Sequence, residues 1–281
     1  MKLFTALAGI ALLTTTNVSA QTNKENQVTL TNKQKAVALI ESIETGNQKS
    51  ASYINPDKYI QHNLKVGDGL AGFGEVMKLL PEGSAKAQVV RAFQDGDYVF
   101  TQTEYNFFGP KVGFDIFRFE GGLIVEHWDN FQEIAPPNAS GRTQFDGDVQ
   151  ATDLDRTDMN KRIVEKFFKD VLMGGTPEKM TDYISPEKYL QHNPAVADGL
   201  EALGKALEAM AQAGTPMTYT RNHMLLGEGN FVLAVSEGEF LGKHVAFYDL
   251  FRVDSGKIVE HWDAIEEIPT EDQWKNRNGK F

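Results

Sequence analysis

The chain has 281 residues, with 28 Lys and Arg against 39 Asp and Glu and a net charge of −11. That balance argues against nucleic acid or an anionic membrane surface as a partner, because both are bound through basic patches. The absence of cysteine rules out disulfides and thiol chemistry, and 41% apolar with 10% aromatic residues is ordinary globular composition.

In chain order, Lys2 precedes an apolar stretch over residues 3–13 and a polar run that closes in Val18-Ser19-Ala20. Small residues at that spacing predict a signal peptide over residues 1–20, cleaved before Gln21, with a periplasmic or secreted product. The stretch is shorter than the ~20 residues that cross a bilayer, so no membrane association is expected after cleavage.

A first domain is expected over residues 33–136. Ala36, Ile40 and Ile43 recur at helical spacing before Gly46, Asn55-Pro56 predicts the start of a short helix, and Leu70, Phe73 and Val76 form the apolar stripe of a third. Four β-rich runs follow, split by Asp95-Gly96, Gly109-Pro110 and Gly121-Gly122. Residues 137–157 are polar and aperiodic, which predicts a linker. Residues 158–270 then repeat the order. Ile163, Phe167 and Val171 give the first helix, Ser185-Pro186 starts the second, and Leu200, Leu203 and Leu207 mark the third. Four β runs follow, broken at Gly229, Gly242 and Ser255-Gly256. The tail beyond Ile268 is polar and predicts loose order.

The chain states its motifs twice. Tyr59-Ile60-Gln61-His62-Asn63 returns as Tyr189-Leu190-Gln191-His192-Asn193, Asp115-Ile116-Phe117-Arg118 as Asp249-Leu250-Phe251-Arg252, and Ile124 to Asp129 unchanged as Ile258 to Asp263. The offset drifts from 130 residues (Tyr59 to Tyr189) to 134 (His127 to His261). A period this long implies two complete domains rather than a solenoid. Helices followed by an antiparallel meander make the class α+β.

Side chains alternate along a strand, so His127 and Asp129 share one face and Glu126 and Trp128 the other. If Glu120-Gly121-Gly122 is a three-residue loop, Asp115 lands opposite His127, and Asp249 opposite His261 by the same register. Arg118 then faces Glu126, and Arg252 faces Glu260. A base and two carboxylates thus gather on one face of each copy. A two-histidine, one-carboxylate metal face from His62, His127 and Asp115 is a lesser reading, since the tight ligand spacings of familiar metal motifs are missing, and no metal or cofactor is expected.

The order Tyr-x-Gln-His-Asn, Asp-Gly, Asp-x-Phe-Arg, Ile-Val-Glu-His-Trp-Asp resembles the SnoaL-like polyketide cyclase family of the nuclear transport factor 2 superfamily, across residues 33–135 and 158–269. The resemblance implies two tandem cone-shaped domains, each with three helices on a curved antiparallel sheet around an apolar pocket. It further implies that Asp129 and Asp263 match the acid/base aspartate of the cyclases, which catalyse an intramolecular aldol condensation. Several chemistries share that cone, so the expected activity is cofactor-free acid/base work on a small apolar carbonyl compound, by aldol, isomerase or dehydratase chemistry, with a non-catalytic small-molecule binding protein as the alternative. His127 and His261 would donate to the developing enolate, and Asp115 and Asp249 would orient them. Tyr59, His62 and Phe117, with Tyr189, His192 and Phe251 in the second copy, would line the substrate pocket. Relatives of this kind pair through the outer sheet face, so an internal pseudo-dimer or a homodimer is expected. Copy one has Leu64 where copy two has Pro194, and the restraint that proline brings predicts the stronger activity in the second pocket.

Overall fold

A computed structural model of the chain describes residues 30–80 and 83–281; the expected leader lies outside the described residues. The first half begins with α1 (Asn32–Thr45), which a capping box opens: the Thr31 hydroxyl accepts from the Gln34 backbone while Gln34 reaches back. Its apolar stripe buries Ala36, Leu39 and Ile40. After a 3₁₀ turn over Gln48–Tyr53 come β1 (Ile60–Gln61), α2 (Gly69–Leu79), β2 (Lys86–Asp95), β3 (Tyr98–Asn106), β4 (Pro110–Glu120) and β5 (Leu123–Glu133). The second half runs α3 (Thr157–Phe167), α4 (Met180–Tyr183), β6 (Leu190–Gln191), α5 (Leu200–Gln212), β7 (Thr218–Glu228), β8 (Phe231–Phe240), β9 (Lys243–Asp254) and β10 (Lys257–Glu267). The class is α+β, with two five-stranded sheets in the matching orders β1-β5-β4-β3-β2 and β6-β10-β9-β8-β7.

Three details differ from the sequence reading. No helix starts at Asn55-Pro56; the Asn55 side chain instead accepts from the backbone of Asp57 and Lys58, closing a turn that goes no further, and the helical turn precedes it. Each sheet also gains a short parallel strand at its edge, β1 on β5 and β6 on β10. The third difference is the order of the polar segments, which form reciprocal straps. Asn138 donates to the carbonyls of Gln191 and Val196 in the second half, and Asn276 donates to those of Asn63 and Val66 in the first. A polar segment without periodicity orders here because its side chains satisfy backbone groups of the opposite half.

The halves meet through one apolar cluster that takes Phe93, Phe114, Ile116 and Trp128 from the first sheet and Phe231, Leu233, Tyr248 and Trp262 from the second. Buried Asn130 crosses it and donates to the carbonyls of Ala246 and Ala264 at 3.1 and 2.7 Å. The opposite face of the first sheet packs under α1, where Leu39, Ile40, Tyr59, Val99 and Phe117 form a separate core.

Candidate functional site

Strands β4 and β5 set the site's geometry. Their turn is the two residues Gly121 and Gly122, both at positive φ (56° and 78°), the backbone that a tight hairpin with right-handed twist demands. The expected three-residue loop is therefore incorrect. A register shift then follows between Arg118 and Phe119, where β5 carries Val125 as an extra residue. The bulge restores the alternation, so that Asp115 stands directly opposite Asp129 and Phe117 opposite His127. The second half repeats this with Ser255-Gly256, a shift between Ile258 and Glu260, and Asp249 opposite Asp263. Two residues of slip keep every side chain on its predicted face.

Asp115, His127 and Asp129 meet as a buried cluster. His127 Nε2 lies 3.2 Å from Asp115 Oδ1, and Tyr105 donates its hydroxyl to Asp115 Oδ2 at 2.7 Å. Gln61 Oε1 accepts the Asn63 backbone N–H at 2.8 Å, which fixes its amide, so His127 Nδ1 donates to that oxygen at 3.2 Å. Both ring nitrogens thus face acceptors. Phe117 stacks on the ring at 4.7 Å. Asn63 donates to Asp129 Oδ2 at 2.8 Å, but Asp129 Oδ1 is buried without a partner among the described residues. Burial pushes the Asp129 carboxyl up to about 6; His127 and Lys280 oppose the rise, and Glu266 and Asp115 add to it.

The second cluster matches it closely. His261 lies 3.0 Å from both Gln191 Oε1 and Asp249 Oδ1, Asn193 donates to Asp263 Oδ2 at 2.7 Å, and Asp263 Oδ1 also lacks a partner among the described residues. Burial raises the Asp263 carboxyl. Burial alone would lower His261, but its hydrogen bond to Asp249 and the nearby Asp263 charge hold it above the ordinary histidine value.

A cavity of about 300 Å³ opens over the first cluster. Leu39, Ile40 and Ile43 from α1, Phe73 and Val76 from α2, and Tyr59 form its apolar wall, with Asp115, His127 and Asp129 at its polar end. Glu266 reaches it from the second half. Over the second cluster Tyr219 and Phe247 stack with ring centroids 4.3 Å apart.

His62 and His192 do not line this face. Because β1 pairs in register with β5, Gln61 against His127, the next side chain turns to the other side. There His62 stacks on Trp128 at 4.7 Å, pairs with Glu126 Oε1 at 3.0 Å and donates to the Gly279 carbonyl. His192 repeats the arrangement with Trp262, Glu260 and Thr143. Glu126 and Glu260 also take Arg118 and Arg252. This removes the two-histidine metal face. Among the described residues, the side chains that could hold a cation are instead Asp115, His127 and Asp129, or Asp249, His261 and Asp263, whose ligand atoms lie within 4.8 Å of one another. Tyr59 and Tyr189 are buried, each with its hydroxyl 3.4 Å from the glutamine amide of its half; Phe251 stacks on His261.

Gln61, Asn63, Tyr105, Glu266 and Lys280 escape the sequence reading. The first two sit inside the repeated Tyr-x-Gln-His-Asn motif, where strand alternation was the available signal. Tyr105 carried none, because its counterpart by strand pairing is Gly238, while Tyr219 on the neighbouring strand reaches Asp249 at 3.3 Å.

No curated protein matches the chain. Among solved structures it is similar to IdmH of Streptomyces antibioticus, a candidate polyketide cyclase (20% identity, 37% of this chain and 93% of the other, TM-score 0.32). It is also similar to a protein of unknown function with a cystatin-like fold from Xanthomonas campestris (24%, 42% and 98%, TM-score 0.34). A third is a candidate ketosteroid isomerase of Kribbella flavida (16%, 43% and 94%, TM-score 0.32). Residues 164–261 match the model of the SnoaL-like domain.

Proposed function

We propose that residues 33–136 are a second copy of the SnoaL-like domain, that the two copies form an internal pseudo-dimer, and that the chain is an exported enzyme of cofactor-free acid/base chemistry on a small apolar carbonyl compound. The observation that carries this reading is Asp129 Oδ1, a buried carboxylate oxygen without a partner among the described residues, at the polar end of an apolar cavity beside a histidine whose nitrogens both face acceptors. A carboxyl held at about 6 is largely ionised at neutral pH and still a far stronger base than an exposed one. Asp129 takes a proton from the carbon next to the carbonyl, and the developing enolate oxygen shares the Nε2 proton of His127, whose present contact with Asp115 is long. The enolate can then attack a second carbonyl of the same molecule, or be reprotonated elsewhere, which separates aldol from isomerase chemistry.

The open cavity over the first cluster supports a leading role for the first half, whereas Pro194 pointed to the second. The test is proton abstraction itself: incubate small apolar ketones with the protein in deuterium oxide and follow loss of the α-proton signal by NMR. Exchange should fall further in Asp129→Asn than in Asp263→Asn, and nearly vanish in the double variant. Binding without exchange would favour the non-catalytic alternative, and retained exchange in the double variant would refute the acid/base assignment. Export rests on the Val18-Ser19-Ala20 pattern; an intact mass of exported material that retains Met1 or Lys2 would refute it.

A further inference from the structure

The first cavity is polar at both ends. Lys111 and Asp115 line it from one face of β4, with Gly113 between them on the same face. A strand rises about 3.3 Å per residue, so the main chain at Lys111 stands about 13 Å from that at Asp115. Gly113 puts no side chain into that interval. The rings of Tyr105 and Phe131 close over it instead, 2.7 and 2.8 Å from where a Cβ would sit. The face therefore runs from the Asp115, His127 and Asp129 cluster across two aromatic rings to a lysine beside Phe108, which is exposed and lines the cavity's edge.

Lys111 has no carboxylate to neutralise it. Its one hydrogen-bond partner among the described residues is the main-chain carbonyl of Phe108, at 2.8 Å, although Glu133 stands opposite it on β5. The other lysine of the cavity, Lys65, is taken by Glu266 at 2.9 Å. In a chain of net charge −11, an ammonium left to a carbonyl at the edge of an apolar cavity is suited to an anionic group on the ligand.

The second half lacks this arrangement. With Asp249 matched to Asp115, the register places Val245 at the position of Lys111 and Phe247 at that of Gly113. Val245 is buried, and Phe247 stacks on Tyr219 where the first half leaves room over its rings. The acid/base groups recur in both halves, whereas the lysine and the open floor belong to the first alone. A role in proton transfer therefore does not account for Lys111.

We propose that the first site takes carbonyl compounds that carry a carboxylate at the far end of an apolar body, with Lys111 as the residue that selects for that charge. The carboxylate meets the Lys111 ammonium, the body lies over Tyr105 and Phe131, and the carbonyl reaches His127 and Asp129. The proposal rests on the reading of that cluster as the carbonyl end of the site.

Calorimetry with ω-benzoylpentanoate and its methyl ester tests this, since the two probes share the ketone and the apolar body and differ in charge. The parent protein should bind the carboxylate about fivefold more tightly than the ester, the size of a charge pair at a rim open to water. Lys111→Met should remove that preference by weakening the carboxylate alone, and Lys111→Arg should keep it. Val76→Trp, which fills the cavity from α2, should abolish binding of both probes. A parent that binds the carboxylate no more tightly than the ester, or not at all, would overturn the proposal. So would equal weakening of the two probes in Lys111→Met, or unaltered binding in Val76→Trp. These measurements need no turnover: absence of α-proton exchange in the parent, with the charge preference intact, would end the acid/base reading and leave the selection by Lys111 standing.

Discussion

Replacing Asp129 by Asn should make the protein more stable while disabling it. The carboxyl titrates near 6 in the folded chain, because burial disfavours its charge, against ~3.9 in an unfolded one. Between those values the folded state binds more protons than the unfolded state, so stability falls as pH rises through the window of about 4 to 6. The full penalty is present above it, and a two-unit rise corresponds to roughly 3 kcal/mol, of which relaxation around the charge removes up to about half. Asparagine keeps the shape and still accepts from Asn63 Nδ2, and its new amide protons face the cavity. At pH 8 the variant should exceed the parent by about 1.5–3 kcal/mol, a rise of several degrees in melting temperature for a chain of this size. The difference should vanish near pH 4. Thermal unfolding of both proteins from pH 4 to 8 measures this. A variant that is less stable than the parent at pH 8, or a difference that ignores pH, would refute the account of Asp129 as a buried, strained charge.

Other substitutions probe other parts of the frame. Tyr105→Phe deletes the donor to Asp115 Oδ2 and should cost about 1–3 kcal/mol in urea unfolding at pH 7, together with slower α-proton exchange. Gly113→Ala would set its Cβ 2.7 Å from the Tyr105 ring and 2.8 Å from that of Phe131, and the crowding should cost about 1–3 kcal/mol and weaken ligand binding, read by calorimetry. Asn130→Ala leaves the carbonyls of Ala246 and Ala264 without their shared donor inside the interface, and should cost about 2 kcal/mol by the same unfolding assay; no loss would mean that the crossing bonds do not stabilise the pair of sheets.

Much of this was legible in the sequence because the motifs that build the sheet are short-range and repeated. Glycines marked the hairpins, and alternation alone put His127 and Asp129 on one face. The loop length was misjudged because Val125 looks like any other strand residue: whether a hairpin closes in two residues with a bulge or in three without one depends on twist, and twist leaves no mark in composition. His62 was misplaced for a different reason. A histidine in a repeated motif invites a chemical role, yet the parallel pairing of Gln61 with His127 gives the inward position to glutamine. The straps were illegible because Asn138 and Asn276 bond backbone carbonyls of the opposite half, and such partners carry no sequence signal.

The tyrosines that reach the two clusters show what the site requires. In the first half Tyr105 on β3 stands opposite Ala87 on β2 and gives its hydroxyl to Asp115. In the second, the strand equivalent to β3 has Gly238, and the residue opposite it is Tyr219 on β7, whose hydroxyl lies 3.3 Å from both oxygens of Asp249. The large and small residues have exchanged strands. The second half cannot simply take the arrangement of the first, since a Cβ at Gly238 would lie 1.9 Å from the Thr218 carbonyl oxygen and 3.1 Å from Phe247. A requirement for packing at one position would have kept the tyrosine there; a requirement for a hydroxyl at the carboxylate is met from either strand. Asp115 and Asp249 are nearly fully buried, and a polar group so placed needs hydrogen-bond partners. The exchange therefore locates the constraint at the aspartate oxygens, and the looser contact in the second half, 3.3 Å against 2.7 Å, fits a site where Tyr219 and Phe247 now stack.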